Sequence, residues 1–169
     1  MRLGILADTH DNVAAAEAAV ERFERADVAA IIHRGDFVAP PTVAAFEGHE
    51  FHGVLGNNDG ELDGLERTID GLGNGSHLHG RYADLTFDDT RIGMLHGDQG
   101  RDAVEEFAAA GTYDYVCYGH FHERDHRQVE GTTVINPGAH FPTVPADHRT
   151  VVVLDTGADE VSFVQLDGE

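Results

Sequence analysis

Apolar residues along the chain fall into short runs separated by polar stretches rich in Gly, Asp and Asn. Leu3 to Ala7 is an apolar run suited to a buried strand. Asn12 is placed to cap a helix through about Arg25, rich in Ala and Glu, with Val20 and Phe23 facing inward. Val28 to Ile32 and Phe51 to Leu55 read as the next two strands, closing at Gly35-Asp36 and Gly56-Asn57. Between them Pro40-Pro41 opens a short helix to Phe46, because proline is tolerated in a first turn. Residues 61–72 carry a looser helical pattern, broken by glycines at 64, 71 and 73. After residue 75 strands dominate: 76–79, 82–87, 91–95, 114–118, 126–130, 132–135, 150–155 and 161–166. One helix intervenes, from about Arg101 to Ala110, with Gly111 as its stop. No internal repeat or linker interrupts the pattern. A βαβ start before a β-rich second half predicts one α/β domain over residues 1–169, with two sheets face to face and helices outside.

Composition adds the working environment. At 169 residues the chain can bury about two thirds of its extended surface. It carries 31 acidic against 11 basic side chains, a formal charge of −20, and every basic residue is Arg. No basic stripe exists to neutralise phosphates, so extended nucleic acid and anionic membranes are excluded as partners. Acidic surplus without lysine suits a chain working in molar salt, where self-repulsion is screened; an ordinary acidic protein is the plainer alternative. Either way, folding should weaken as salt is removed. The single cysteine, Cys117, lies in the apolar run Tyr115–Tyr118 and reads as a buried small hydrophobe. Its isolation excludes disulfide frameworks and cysteine metal sites. Met1 to His10 is too short for a signal peptide and no stretch approaches about 18 apolar residues, so a cytoplasmic location is expected.

The chemistry gathers at strand ends. Five apolar segments finish in residues able to bind a metal: Asp8-Thr9-His10, Gly35-Asp36, Gly56-Asn57-Asn58-Asp59, His96-Gly97 and Gly119-His120-Phe121-His122. Sites in α/β sheets assemble at the carboxyl edge of the strands, so these ends can converge. They would deliver Asp8, His10, Asp36, Asn57, His96, His120 and His122. Such an oxygen and nitrogen set without thiolate suits two divalent ions, Mn first, with Ni, Fe, Co or Zn as alternatives. The pairs Asp8-x-His10 and His120-x-His122 would aim both side chains one way if their backbone is extended.

That order of motifs, D-x-H, G-D, G-N-N-D, H and G-H-x-H, resembles the calcineurin-like metallophosphoesterase superfamily, and Asn136-Pro137-Gly138 is also familiar from it. Without insertions the chain is similar to the small prokaryotic phosphodiesterases of that group, themselves similar to the retromer scaffold subunit. The resemblance implies a four-layer α/β/β/α sandwich of two mixed sheets flanked by helices. It puts Asp8, His10 and His122 on one metal, Asn57, His96 and His120 on the other, and Asp36 between them. The implied chemistry is hydrolysis of small phosphodiesters by a metal-bridging hydroxide, with Asp36, Asn58 and His96 in catalytic roles. A phosphomonoesterase and a non-catalytic scaffold are the competing readings, and a homodimer is compatible with the group.

The sequence departs from the family pattern at three places. Asn58 stands where relatives carry His or Cys; an amide donates a hydrogen bond but cannot act as a general acid. Substrates with good leaving groups are therefore expected. Asp11 replaces a common Gly, and Ala139-His140-Phe141-Pro142 replaces the usual Ser and Arg, leaving phosphate contacts to His140 or backbone amides. Asp59 and Asp11 are candidate acceptors behind the ligand histidines. His33 reads as a packed residue, and His49, His52, His126 and His148 as surface or strand-edge residues. Arg34, beside Gly35, reads as one half of a salt bridge on the acidic surface, with a phosphate contact as the alternative. His77-x-His79 repeats the ligand spacing without a strand-end glycine, and counts as a weak candidate for a further metal site.

Overall fold

A computed structural model describes residues 1–166 of the chain. In chain order its elements are β1 (Arg2–Leu6), α1 (Val13–Arg25), β2 (Ala30–His33), α2 (Pro40–Ala44), β3 (Phe51–Gly53) and α3 (Leu62–Leu72). They continue as β4 (His77–Leu78), β5 (Tyr82–Phe87), β6 (Thr90–Leu95), α4 (Arg101–Ala109), β7 (Tyr115–Cys117) and β8 (Arg124–Val129). The last strands are β9 (Thr132–Pro137), β10 (Thr150–Asp155) and β11 (Glu160–Gln165). Every expected element is present, with ends shifted by a few residues. One such shift lies where the chain leaves a strand for the site: the third strand stops at Gly53 rather than Leu55. Residues 167–169, the tail of the expected domain, lie outside the described residues.

Six strands form one sheet in the order β11-β10-β1-β2-β3-β4, and five form the other in the order β5-β6-β7-β9-β8. Each sheet has a parallel centre, β1-β2-β3-β4 and β6-β7-β9, with antiparallel neighbours at the margin. The sheets face each other across a core of Leu3, Ile5, Ile32, Ile92, Met94, Cys117, Ile135 and Val152. Helices α1, α2 and α3 cover the outer face of the larger sheet through Phe23, Val43, Leu65 and Ile69. Helix α4 covers the smaller sheet through Val104 and Ala108. The result is the α/β/β/α sandwich expected from the sequence. Two-sided burial explains the near-continuous apolar runs of β1 and β2, in contrast to the alternating pattern of β5.

Local chemistry accounts for the helices. The Asn12 side chain accepts from the Ala15 amide at 3.1 Å and caps α1, as its position predicts. Phe23 is fully buried and Val20 packs partly behind it. The 61–72 segment is more regular than its glycines suggest, because Gly64 lets α3 approach α2: a Cβ there would stand 3.0 Å from Pro40 Cγ.

Two strand glycines solve the same packing problem on opposite faces. A Cβ on Gly4 of β1 would lie 2.7 Å from the Phe23 ring, and one on Gly93 of β6 would lie 2.6 Å from Phe107. Each sheet gives up a side chain so that a helix can seat an aromatic ring against bare backbone. Gly4→Ala is expected to destabilise by about 1–3 kcal/mol through overpacking. Gly71→Ala, whose Cβ would meet nothing within 4 Å in α3, should stabilise by about 0.5–1 kcal/mol. Urea unfolding midpoints read both signs, and a stable Gly4→Ala variant would contradict the packing account.

Candidate metal centre

The parallel strands place their carboxyl ends on one edge of the sandwich. Asp8, Asp36 and Asn57 arrive from β1, β2 and β3 of the larger sheet; His96 and His120 arrive from β6 and β7 of the smaller one. The site therefore straddles the seam between the sheets.

The chain does not reach this site in extended form. Asp8, His10, Asp36, His120 and His122 have φ of 53°, 44°, 55°, 68° and 56°, all left-handed. The expectation of an extended D-x-H and H-x-H is thus corrected: β1 ends at Leu6 and β7 at Cys117, and both motifs lie in tight turns. A left-handed non-glycine residue costs roughly 1 kcal/mol or more, so five of them need support. The support comes from hydrogen bonds between the strand ends themselves. Asp8 N donates to Gly35 O at 3.1 Å and His10 N to Asp36 O at 2.9 Å. Across the seam, His120 N donates to Asp8 Oδ2 at 3.0 Å, and His96 Nδ1 donates to Arg34 O at 2.6 Å.

Two ligand clusters result. Asp8, His10 and His122 gather in one, with Asp8 Oδ1 lying 3.8 Å from His10 Nε2 and 3.5 Å from His122 Nε2. In the second, Asn57 Oδ1 lies 3.1 Å from His96 Nε2 and 3.0 Å from His120 Nδ1. Asp36 Oδ2 stands between them, 3.5 Å from His10 Nε2 and 3.3 Å from His96 Nε2. All seven expected ligands are thus brought together. Asp8 Oδ1 and His10 Nε2 are buried and without a hydrogen-bond partner, although buried polar atoms are nearly always paired. Oxygen and imidazole atoms aimed at one another with orphaned lone pairs fit a divalent cation.

Electrostatics agree. Burial works to raise the Asp8 carboxyl, yet the His10 and His122 rings that face it hold it below its usual value. Asp36 shows the same contest, with His96 and Asn58 winning over burial. The facing Asp8 carboxylate pushes His10 up against burial, and for His96 the Asp36 carboxylate outweighs the desolvation. Burial and the charge of His96 push His120 down. Cations compete with protons for these lone pairs.

The supporting shell differs from expectation. Asp59 accepts from three backbone amides, Asp36 at 2.9 Å, Val38 at 2.7 Å and Gly56 at 2.7 Å, so it braces the strand-end loops instead of a histidine. Asp11 is exposed, and the acceptor behind His96 is a carbonyl. Asn58 turns its amide inward: Nδ2 donates to Asp36 Oδ2 at 2.7 Å and its backbone N–H to Asp36 Oδ1 at 2.9 Å. Gly56 makes room for this carboxylate, since a Cβ there would overlap Asp36 Oδ1.

Arg34 is the clearest correction. It is wholly buried between the sheets, and its Nε and Nη2 have no hydrogen-bond partner. Desolvation drops its pKa to about 10, with the charge of Asp8 among its opposing influences. Ala30 and Ile32 already face the inter-sheet core, so strand alternation alone points Arg34 there. Phe141 was also missed. It follows β9, a sixth strand end at this edge, and packs edge-on against His10 and His122 with ring centroids 4.9 and 4.8 Å away. His140 beside it is buried rather than at the rim, as is His52 in β3.

Fold and site together define a metal-dependent phosphoester hydrolase. The chain belongs to the calcineurin-like phosphoesterase superfamily, whose domain matches residues 1–159. A phosphodiesterase of Methanocaldococcus jannaschii is 32% identical over 172 residues, covering 99% of this chain and all of the relative. A solved archaeal phosphodiesterase superposes with a TM-score of 0.86 at 30% identity, covering 98% of this chain and 99% of that one. Vps29 of Entamoeba histolytica, solved with zinc, shares the fold at a TM-score of 0.61 and 15% identity, covering 99% and 100% of the two chains. Among the described residues no helix is long and apolar enough to cross a membrane.

His33, behind the site, gives a pH signature. It is packed against Phe37 and Phe46, with Nε2 3.1 Å from Thr9 Oγ1. Burial, aided by the neighbouring Arg34 charge, holds its pKa well below 6.5. Unfolded chains bind a proton below about pH 6.5 that the folded state refuses, so this contribution is complete above that pH and shrinks on acidification. Urea midpoints should fall between about pH 7.5 and pH 5, and fall less in His33→Gln. Equal drops in both proteins would contradict the assignment.

Proposed function

We propose that the chain hydrolyses small phosphodiesters with two divalent cations, Mn first among the candidates. Asp8, His10 and His122 would hold one cation, Asn57, His96 and His120 the other, and Asp36 would be shared. The observation that carries this reading is the position of Asp36 Oδ2, within 3.5 Å of a ligand nitrogen on either side. When bound, such a pair supplies Lewis acidity toward phosphate oxygens and acidifies the attacking water.

The side chains contribute orientation. By donating through Nδ1 to Arg34 O, His96 keeps the Nε2 lone pair turned toward Asp36 and Asn57. Asp8 spends Oδ2 on the His120 amide and leaves Oδ1 for the histidine cluster. Asn58 clamps Asp36 from two directions and carries no acidic proton for a leaving group. Phe141 walls His10 and His122 off on one side. Bound cations would also reconcile a phosphate-bearing substrate with the −20 charge.

The test compares aryl phosphate diesters and monoesters in molar KCl with Mn²⁺. Diesters should be cleaved faster, with rates that depend steeply on leaving-group acidity. His120→Ala should lose at least about tenfold in kcat/KM, in line with the loss of a metal ligand. Asn58→His should flatten the leaving-group dependence by restoring a group able to donate a proton. Faster monoester cleavage would overturn the diesterase reading, and absent metal-dependent turnover would favour a scaffold.

A further inference from the structure

The strand-end centre uses four of the 12 histidines. Three others meet at a different place, the open seam beside the short edge strand β4. His52 of β3 and His77 of β4 are direct partners in the parallel register, so their side chains share one face of the sheet. His79 follows two residues later, tied to β3 by its amide donating to Gly53 O at 2.8 Å. That face is the inner one, because His52 packs edge-on against Phe87 of β5 in the other sheet.

Two of the three rings already face each other through nitrogen. His52 Nδ1 and His79 Nε2 face each other at 3.0 Å. On its far side, His52 Nε2 donates to Glu50 Oε1 at 2.9 Å. A carboxylate behind one ring nitrogen fixes the tautomer and turns the other lone pair, here that of His52 Nδ1, toward its neighbour, the orientation a metal ligand needs. The His77 ring stands edge-on to His79 with centroids 4.6 Å apart and is exposed, so a turn about its side-chain bonds is what the site requires of it. Two imidazoles on one tetrahedral Zn²⁺, at about 2.0–2.1 Å each, have nitrogens about 3.3–3.4 Å apart. The observed pair needs to open by only a few tenths of an ångström.

We propose that His52, His77 and His79 form a second, mononuclear site for a borderline divalent cation such as Zn²⁺, with Glu50 orienting the His52 ring. Imidazole nitrogens without carboxylate or thiolate ligands select Zn²⁺, Cu²⁺ or Ni²⁺ over Mn²⁺. The site lies five residues before Asn57, about 16 Å of extended chain from the first centre. A cation here would pin the two-residue strand β4 to β3, where the sheet has the least backbone pairing. The competing reading is a hydrogen-bond relay, Glu50 to His52 to His79, which gives His77 no part.

The experiment counts metal. Protein saturated with Mn²⁺ is equilibrated with Zn²⁺, desalted and analysed for both elements, as wild type, as the double variant His77→Ala/His79→Ala and as Glu50→Gln. Wild type should retain one more Zn²⁺ per chain than the double variant. Mn²⁺-dependent diester turnover should stay equal, showing that the double variant folds and keeps the first centre. Glu50→Gln should weaken this additional Zn²⁺ by about tenfold or more. Equal Zn²⁺ retention by wild type and double variant would overturn the proposal. Should the double variant misfold, unchanged Zn²⁺ affinity in Glu50→Gln would overturn it instead.

Discussion

Left-handed backbone at the strand ends is the constraint on which this molecule is organised. A strand that simply ran on would carry Asp8, Asp36 and His120 past one another along the sheets. Turning through positive φ folds each end back over the seam, where it meets ends from the facing sheet. No single turn of this kind is favourable for a side-chain-bearing residue, and those at Asp8, His10, Asp36 and His120 are held by backbone hydrogen bonds from their neighbours. Asp8 is both a held residue, through Gly35 O, and a holding one, through the His120 amide and its own carbonyl bond from His140 N at 3.1 Å. Because the turns support one another, the seven candidate ligand side chains are held together as a unit by the protein itself.

The same geometry explains the buried charge. Asp8, Arg34 and Asp36 are all essentially inaccessible at the seam. Burying charges is costly unless opposite charge or hydrogen bonds compensate, and cations at the strand ends would provide that compensation for the carboxylates. Arg34 contributes its carbonyl to His96 while its guanidinium lies in the core near Asp8, so one residue serves the site through backbone and field together.

Much of this was legible in the sequence, and the rest was hidden for identifiable reasons. Apolar runs and helix signals located every strand and α-helix, because the central strands are covered on both faces and their burial is written into the runs. The convergence of the candidate ligands was legible because strand ends in α/β sheets carry their chemistry at fixed places in the chain. The local backbone was not: Asp8-x-His10 has a spacing that extended and left-handed chains both allow. Asp59 looked like a histidine partner but braces three amides, a role that depends on loop shape and not on residue type. Arg34 was misread because its charge suggested the surface, although the alternation from Ala30 through Ile32 pointed inward. Asn58 was expected in a catalytic role, and nothing in its position along the chain tells that its amide turns toward Asp36.

The central claim is that Asp36 joins two ligand clusters into one dinuclear centre. Electron paramagnetic resonance of the Mn²⁺-loaded protein tests it most directly, because two Mn²⁺ ions sharing a carboxylate oxygen are exchange-coupled. The account predicts two Mn²⁺ per chain and a coupled signal in the wild type, replaced by signals of isolated ions in Asp36→Ala. A single Mn²⁺ per chain, or uncoupled ions in the wild type, would contradict it.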